Sequence, residues 1–209
     1  MELFVTGTDT NVGKTVVSAW LMLHLGACYW KPVQTGTMEG MDASLIRTLT
    51  DCEPGDILPS VYELPEPLSP HEAARRAGVD ISMDKFVPPE VERPLIVEGA
   101  GGVMVPLNDH AFMIDLMDAL NYSVVLVCRS SLGTINHTLL SLEALKSRDI
   151  PVACIVMNGP SLPHNRDALE EYGGVRVLAE IPPLDPLNKQ ALLAVQPEHD
   201  LEQFFMWPA

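Results

Sequence analysis

Along the chain, short runs that are apolar at nearly every position alternate with longer stretches whose apolar residues recur every three or four places. ELFVT (2–6), ACYWK (27–31), PLIVE (94–98), SVVLVC (123–128), PVACIVM (151–157) and VRVLAEI (175–181) are of the first kind. TVVSAWLMLHL (15–25) is of the second. A strand apolar on both faces must be covered on both faces, so the pattern predicts an α/β fold: a mostly parallel central sheet flanked by helices. Ligands of such sheets collect beyond the carboxyl ends of the strands, which directs attention to the residues standing there.

Two stretches depart from this rhythm. Between Ile57 and Pro94 prolines stand at 59, 65, 67, 70, 88 and 89, and helical pieces such as SPHEAARRAG are short. None of these pieces has the apolar length for a core of its own, so the stretch reads as an excursion within a single domain spanning 1–209. From Pro182 to Ala209 the pattern is weakest.

Composition narrows the functional classes. With 209 residues, 47% of them hydrophobic and 20% charged, the chain can bury a sizeable core and has no run long enough to span a membrane. A formal net charge of −15 argues against a general nucleic-acid binder, since that affinity comes from Lys and Arg neutralising phosphates. The start MELFVTGTDT lacks a basic region followed by an apolar stretch, so a cytoplasmic location is expected. Cys28, Cys52, Cys128 and Cys154 form no CxxC pair and the six histidines no HxxxH pair, which leaves no zinc site to assign.

The chemistry begins at GTDTNVGKT, Gly7 to Thr15, between a strand-like and a helix-like segment. A phosphate loop works because successive backbone N–H groups and a helix start converge on anionic oxygens, while a lysine adds charge and a hydroxyl binds Mg²⁺. Lys14 and Thr15 fit those tasks. The first glycine is one place early for the usual GxxxxGK[ST] spacing, with Thr8 where glycine is expected. The competing reading is a glycine-rich turn ahead of an ordinary helix.

Three more charges fall where strands end or helices begin. Lys31 closes ACYWK, and Glu98 closes PLIVE before a run of glycines, as a metal-holding acid does in nucleotide enzymes. Each has a plainer alternative: Lys31 as an exposed lysine, Glu98 as a solvent-facing acid at a sheet edge. Asp42, just before ASLIRTL, would serve well as a helix N-cap, the reading its position alone favours.

Taken in order, GTDTNVGKT, KPVQTG (31–36), Asp42, LSPHEAA (68–74), VEGAGG (97–102) and LGTINHTLL (132–140) resemble the dethiobiotin synthetase family, with weaker likeness at Met157-Asn158 and at EIP (180–182). The resemblance implies a P-loop NTPase-like fold and an ATP- and Mg²⁺-dependent ligase. Such a ligase closes the ureido ring of dethiobiotin from 7,8-diaminopelargonate and CO₂ through a carbamate and a carbamic-phosphoric mixed anhydride, releasing ADP and phosphate. It also implies a homodimer and a phosphate loop with the early glycine. Carried over by position, Thr15, Asp42 and Glu98 match the metal site; Lys14 matches the phosphate lysine, and Lys31 the lysine near substrate and γ-phosphate. Thr10 and Thr35 match further active-site positions. The loop from Asp9 through Asn11, Val12 and Gly13 is expected to hold the nucleotide, and Asn158 to touch adenine. Gly101 falls with the substrate site. Gly133, Thr134 and Asn136 open a helix whose free N–H groups suit the substrate's far carboxylate across the dimer interface, or merely cap that helix. Asn11 stands where some relatives carry an acid.

The rival class is a partition- or switch-type ATPase regulating a protein partner. Those ATPases usually carry a second lysine early in the loop, where this chain has Asp9, and often a basic or amphipathic membrane segment, which the sequence lacks.

Overall fold

A computed structural model describes residues 1–206 of the chain. In chain order the elements are β1 (Glu2–Gly7), α1 (Lys14–Leu25), β2 (Cys28–Trp30), β3 (Val33–Thr35), α2 (Asp42–Thr50), β4 (Ile57–Leu58), β5 (Tyr62–Leu64), α3 (Pro70–Ala77), β6 (Leu95–Gly102), α4 (Met113–Leu120), β7 (Ser123–Arg129), α5 (Thr134–Lys146), β8 (Val152–Asn158), α6 (Pro163–Gly173), β9 (Val177–Ile181), α7 (Lys189–Ala194) and α8 (Leu201–Met206). Seven strands form one sheet in the order β4, β2, β6, β1, β7, β8, β9, and every pairing in it is parallel.

The doubly apolar strands explain the layers. Successive residues point to opposite faces, so Phe4, Val97, Leu126 and Ile155 enter one core while Val5, Ile96, Val125 and Val156 enter the other. Met113, Met117, Leu142 and Leu145 of α4 and α5 join the first core; Val17, Trp20 and Leu21 of α1 join the second. Each such side chain contributes roughly 1.5–3 kcal/mol on burial, which is why helices cover both faces.

The proline-rich excursion is more integrated than its pattern suggests. Its first residues, Ile57 and Leu58, pair with Tyr29 and Trp30 as the edge strand of the main sheet. Tyr62–Leu64 pairs with Val33–Thr35 in a separate two-stranded parallel sheet. These pairings need only two or three residues each, too few for a period to register.

The weakly patterned C-terminal segment also docks. Leu192 and Leu201 are buried in the α1 core, and the Trp20 indole donates to the Val195 carbonyl at 2.7 Å. Residues 207–209, the end of that segment, lie outside the described residues. Cys28, Cys128 and Cys154 are buried thiols and Cys52 is half-buried, none in a disulfide. Among the described residues no helix is long and apolar enough to cross a membrane.

Candidate active site at the carboxyl ends of β1, β2 and β6

The early glycine has a geometric cause. Gly7 is the last residue of β1, paired with Val127, and the strand-like bonding continues one residue further because the Thr8 amide donates to the Val127 carbonyl at 3.0 Å. The loop therefore leaves the sheet one place later than the glycine. A Cβ at Gly7 would lie 2.6 Å from Cγ2 of Val12, which folds back over it and is itself buried. At the other end Gly13 adopts φ 98° as it enters α1, and a Cβ there would stand 2.1 Å from Nδ2 of Asn158.

The loop is tied from three sides. The Asp9 carboxylate accepts from the Thr10 amide at 2.7 Å and pairs with Arg129 at 2.5 Å. The Asp9 carbonyl accepts from Lys14 Nζ at 3.0 Å, and the Asn158 amide donates to the Val12 carbonyl at 3.0 Å. Asn158 thus stands behind the loop as its support. Asp9, where the rival ATPases have lysine, is engaged in an ion pair.

Glu98 is not a sheet-edge acid. It lies in the middle of β6, third strand of seven, and its side chain is fully buried; the strand runs on to Gly102. Four donors surround it: Thr15 Oγ1 at 3.0 Å and Lys31 Nζ at 2.8 Å on Oε1, Ser18 Oγ at 2.9 Å and the Tyr29 hydroxyl at 3.0 Å on Oε2. Lys31 is likewise no surface lysine; it is buried, and its ammonium also reaches Asp42 Oδ2 at 2.5 Å. Asp42 is not the N-cap either. That position belongs to Met41, and Asp42 is the first helical residue, its side chain turned to Lys31 and to Thr15 Oγ1 at 3.0 Å.

Thr15 carries a single hydroxyl proton facing two carboxylate oxygens at equal distance, so only one of the two contacts is a hydrogen bond at a time. A hydroxyl oxygen meeting two carboxylates is a set of hard oxygens that suits Mg²⁺, which takes one or two carboxylates and completes its octahedron with phosphate oxygens and water. The residues present fit the metal: Thr15, Asp42 and Glu98 would hold it. No group of three or more His, Cys, Asp and Glu side chains among the described residues is placed to bind a metal by itself.

Burial dominates the electrostatics. Desolvation pulls the Lys14 ammonium down, Glu98 opposes it and Lys31 adds to it, leaving Lys14 at about 8. Burial also works against the Lys31 ammonium, but Glu98 and then Asp42 outweigh it and hold this lysine above its ordinary value. Asp42 is pushed up by burial and more than compensated by Lys31, so its carboxyl titrates below the usual range.

These groups open into a cleft of about 770 Å³. Thr10, Asn11, Gly13, Lys14, Thr15, Lys31, Thr35, Asp42, Glu98 and Gly101, all singled out in the sequence, line it, together with Gln34 and the turn Pro67–Pro70. Gly133, Thr134 and Asn136 do not line this cleft. Gly133 caps α5 with φ 94°, the Thr134 hydroxyl bonds the Arg129 carbonyl, and Asn136 is exposed. Ser18, Tyr29 and Gln34 were not singled out, although for the first two a signal existed. Ser18 follows Thr15 at helical i,i+3 spacing, and Tyr29 precedes Lys31 by two along an extended segment, so each faces the same way as a recognised residue.

A parallel α/β sheet with a glycine-bounded loop running from its central strand into a helix start, beside a lysine, a hydroxyl and two carboxylates, defines a P-loop nucleotide-binding protein. A family profile described as an AAA domain matches residues 1–191. The ATP-dependent dethiobiotin synthetase BioD of Paramagnetospirillum magneticum is 54% identical over 195 residues, covering 93% of this chain and 94% of that protein. The protein of that name from Afipia carboxidovorans is 48% identical, covering 92% of each. The chain belongs to the dethiobiotin synthetase family. Among solved structures, a ParA family ATPase from Chlorobium tepidum aligns with a TM-score of 0.54 over 97% of this chain and 95% of that one, and MinD in a MinC:MinD cell division complex from Aquifex aeolicus with 0.52 over 91% and 86%. At 15% and 13% identity these likenesses show the shared fold alone.

Proposed function

We propose that this chain is an ATP- and Mg²⁺-dependent ligase that closes the ureido ring of dethiobiotin from 7,8-diaminopelargonate and CO₂. The observation that carries the reading is the convergence of Thr15, Lys31 and Asp42 on Glu98 beside the phosphate loop, in a chain of this family. That set serves oxygen-centred charge and contains no nucleophilic side chain, as the reaction requires.

One amine of the substrate attacks CO₂ and loses a proton, giving a carbamate. A carbamate oxygen then attacks the γ-phosphorus and the bond to ADP breaks. The second amine attacks the carbamoyl carbon of the mixed anhydride, phosphate departs, and the ring C–N bond forms. Negative charge gathers on oxygen throughout. Lys14, held at the loop by the Asp9 carbonyl, is proposed to follow the β- and γ-phosphates, and Lys31 to meet the carbamate and γ-phosphoryl oxygens. Bound Mg²⁺ supplies Lewis-acid neutralisation of the phosphate oxygens. Charges fixed beforehand in a cleft cost no reorganisation at the moment of reaction, and holding both amines near one carbon removes an entropic barrier. Thr10, Thr35 and Gly101 line the cleft where the diamine would lie.

The far carboxylate is proposed to meet the start of α5 of a partner subunit in a homodimer, as the family likeness implies, because the free N–H groups of a helix start favour an anion. Asn158, behind the loop at the end of β8, is proposed to reach adenine with the part of its carboxamide not spent on Val12.

The decisive experiment measures ADP release. It should require diaminopelargonate, bicarbonate and Mg²⁺ together; ATP hydrolysis indifferent to the diamine would point to a switch ATPase instead.

A further inference from the structure

Gln34 is buried in the wall of the cleft, and both ends of its carboxamide are committed. Its Oε1 accepts from the Asp42 amide at 3.1 Å, and its Nε2 donates to the Thr35 carbonyl at 2.7 Å. A helix start leaves its first N–H groups without partners, and these are ordinarily met by the side chain of the N-cap residue. The N-cap of α2 is Met41, which makes no such bond. Gln34, eight residues away on β3, supplies the acceptor instead.

The consequence concerns Asp42. An aspartate at a helix start commonly bonds its own helix; here the amide is served by Gln34, and the carboxylate is free to face Thr15 and Lys31. The two bonds of Gln34 also bracket the stretch 36–41, whose residues 36 and 39–41 line the cleft.

We infer that Gln34 is a positioning residue for the metal site, a clasp between Thr35 and the start of α2 that aims the Asp42 carboxylate at the place shared with Thr15 and Glu98. This rests on the proposed Mg²⁺ role of Asp42. Partners that orient metal ligands typically alter metal affinity by about tenfold or more when removed. Gln34→Met keeps the length and apolar packing of the side chain and removes both hydrogen bonds.

The test uses the intact protein with Mn²⁺ as a spectroscopic stand-in for Mg²⁺. Mn²⁺ binding in the presence of ADP is followed by electron paramagnetic resonance, and ADP binding without metal by calorimetry. For Gln34→Met we expect about tenfold weaker Mn²⁺ binding with metal-free ADP affinity unchanged. Equal loss of both would show a structural role only, and no change in either would show that the clasp does not aim Asp42; both outcomes overturn the inference. Gln34→Leu removes the same two bonds with a shorter apolar side chain, so Mn²⁺ affinity should fall by about tenfold there too. Wild-type Mn²⁺ affinity in that variant would overturn the assignment even if Gln34→Met failed to fold. Asp42→Asn, measured alongside, tests the underlying metal assignment separately: wild-type Mn²⁺ affinity in that variant would remove Asp42 from the metal site.

Discussion

The ammonium of Lys31 lies 2.8 Å from Glu98 Oε1, and neither side chain is more than a tenth exposed. A buried charge is tolerated only when paired and bonded. Here the fully buried partner is one carboxylate that also serves Thr15, Ser18 and Tyr29. Glu98→Ala would leave Lys31 to the partly exposed Asp42 alone and strand two buried hydroxyls, and the expected loss is about 3 kcal/mol of stability by urea unfolding. A change within about 0.5 kcal/mol, as for a surface residue, would contradict the buried cluster.

Lys31→Gln should separate fold from chemistry. Glu98 keeps three of its four donors in that variant, so circular dichroism and cooperative unfolding should persist. The charge proposed to face the carbamate and γ-phosphoryl oxygens is gone, and turnover should fall by at least about 100-fold, the scale of losing one preorganised donor to a developing oxyanion. Turnover equal to wild type would remove Lys31 from the mechanism.

Asp42→Asn is expected to raise the Mg²⁺ concentration for half-maximal activity by at least about tenfold. Its cost in stability should be smaller than that of Glu98→Ala, because Asp42 is partly exposed and Lys31 keeps its pairing with Glu98. Unchanged Mg²⁺ dependence with a lowered melting temperature would return Asp42 to a purely helical role.

What the sequence made legible follows the length over which each signal is written. The long apolar strands and α1 could be read because two-sided burial imposes a composition on six or seven consecutive residues. β3, β4 and β5 could not, since two or three residues make a pairing without making a period. Of the site, Lys14, Thr15, Lys31, Asp42 and Glu98 were visible as charges or hydroxyls at element boundaries. The plainer readings of Lys31 and Glu98 failed because charge alone does not reveal burial, and that of Asp42 because its carboxylate is turned to Lys31 and Thr15. Ser18 and Tyr29 escaped notice because uncharged residues inside apolar elements look like core, although their spacing from Thr15 and Lys31 placed them on the same faces; Gln34, in a three-residue strand, had no such spacing to reveal it.

Lys14 gives the site a pH signature. Its folded value, about 8, is below the ordinary 10.5, so the folded state releases this proton first. Below pH 8 the lysine is charged in both states and the cost of burying it is fully present. Between about 8 and 10.5 only the unfolded chain holds the proton, and this group makes stability rise with pH. Nucleotide phosphates reverse the balance by favouring the ammonium, so binding of ADP at pH 9 should take up to about one proton. Calorimetry in buffers of different ionisation enthalpy measures that uptake, and Lys14→Met should abolish it. Uptake identical in the variant would place the titrating group elsewhere.

Gly13 and Asn158 close the loop from behind, and their contact can be tested as a pair. Gly13→Ala faces two separate obstacles: φ 98°, where a side chain costs about 1–2 kcal/mol, and Nδ2 of Asn158 only 2.1 Å from the new methyl group. The methyl group would push the carboxamide away and break its bond to the Val12 carbonyl. The expected result is a loop that no longer presents its amides together, with ATP binding weakened by at least about tenfold, an amount corresponding to roughly one good hydrogen bond. Asn158→Ala alone should loosen the loop less, because Gly13 keeps its conformation. In the double variant the collision is absent while the backbone penalty remains, so Gly13→Ala should cost less on the Asn158→Ala background than on wild type, by about 1 kcal/mol or more. Additive effects in that cycle, read by urea unfolding, would mean that the two residues do not touch in solution and that Asn158 acts on the nucleotide alone.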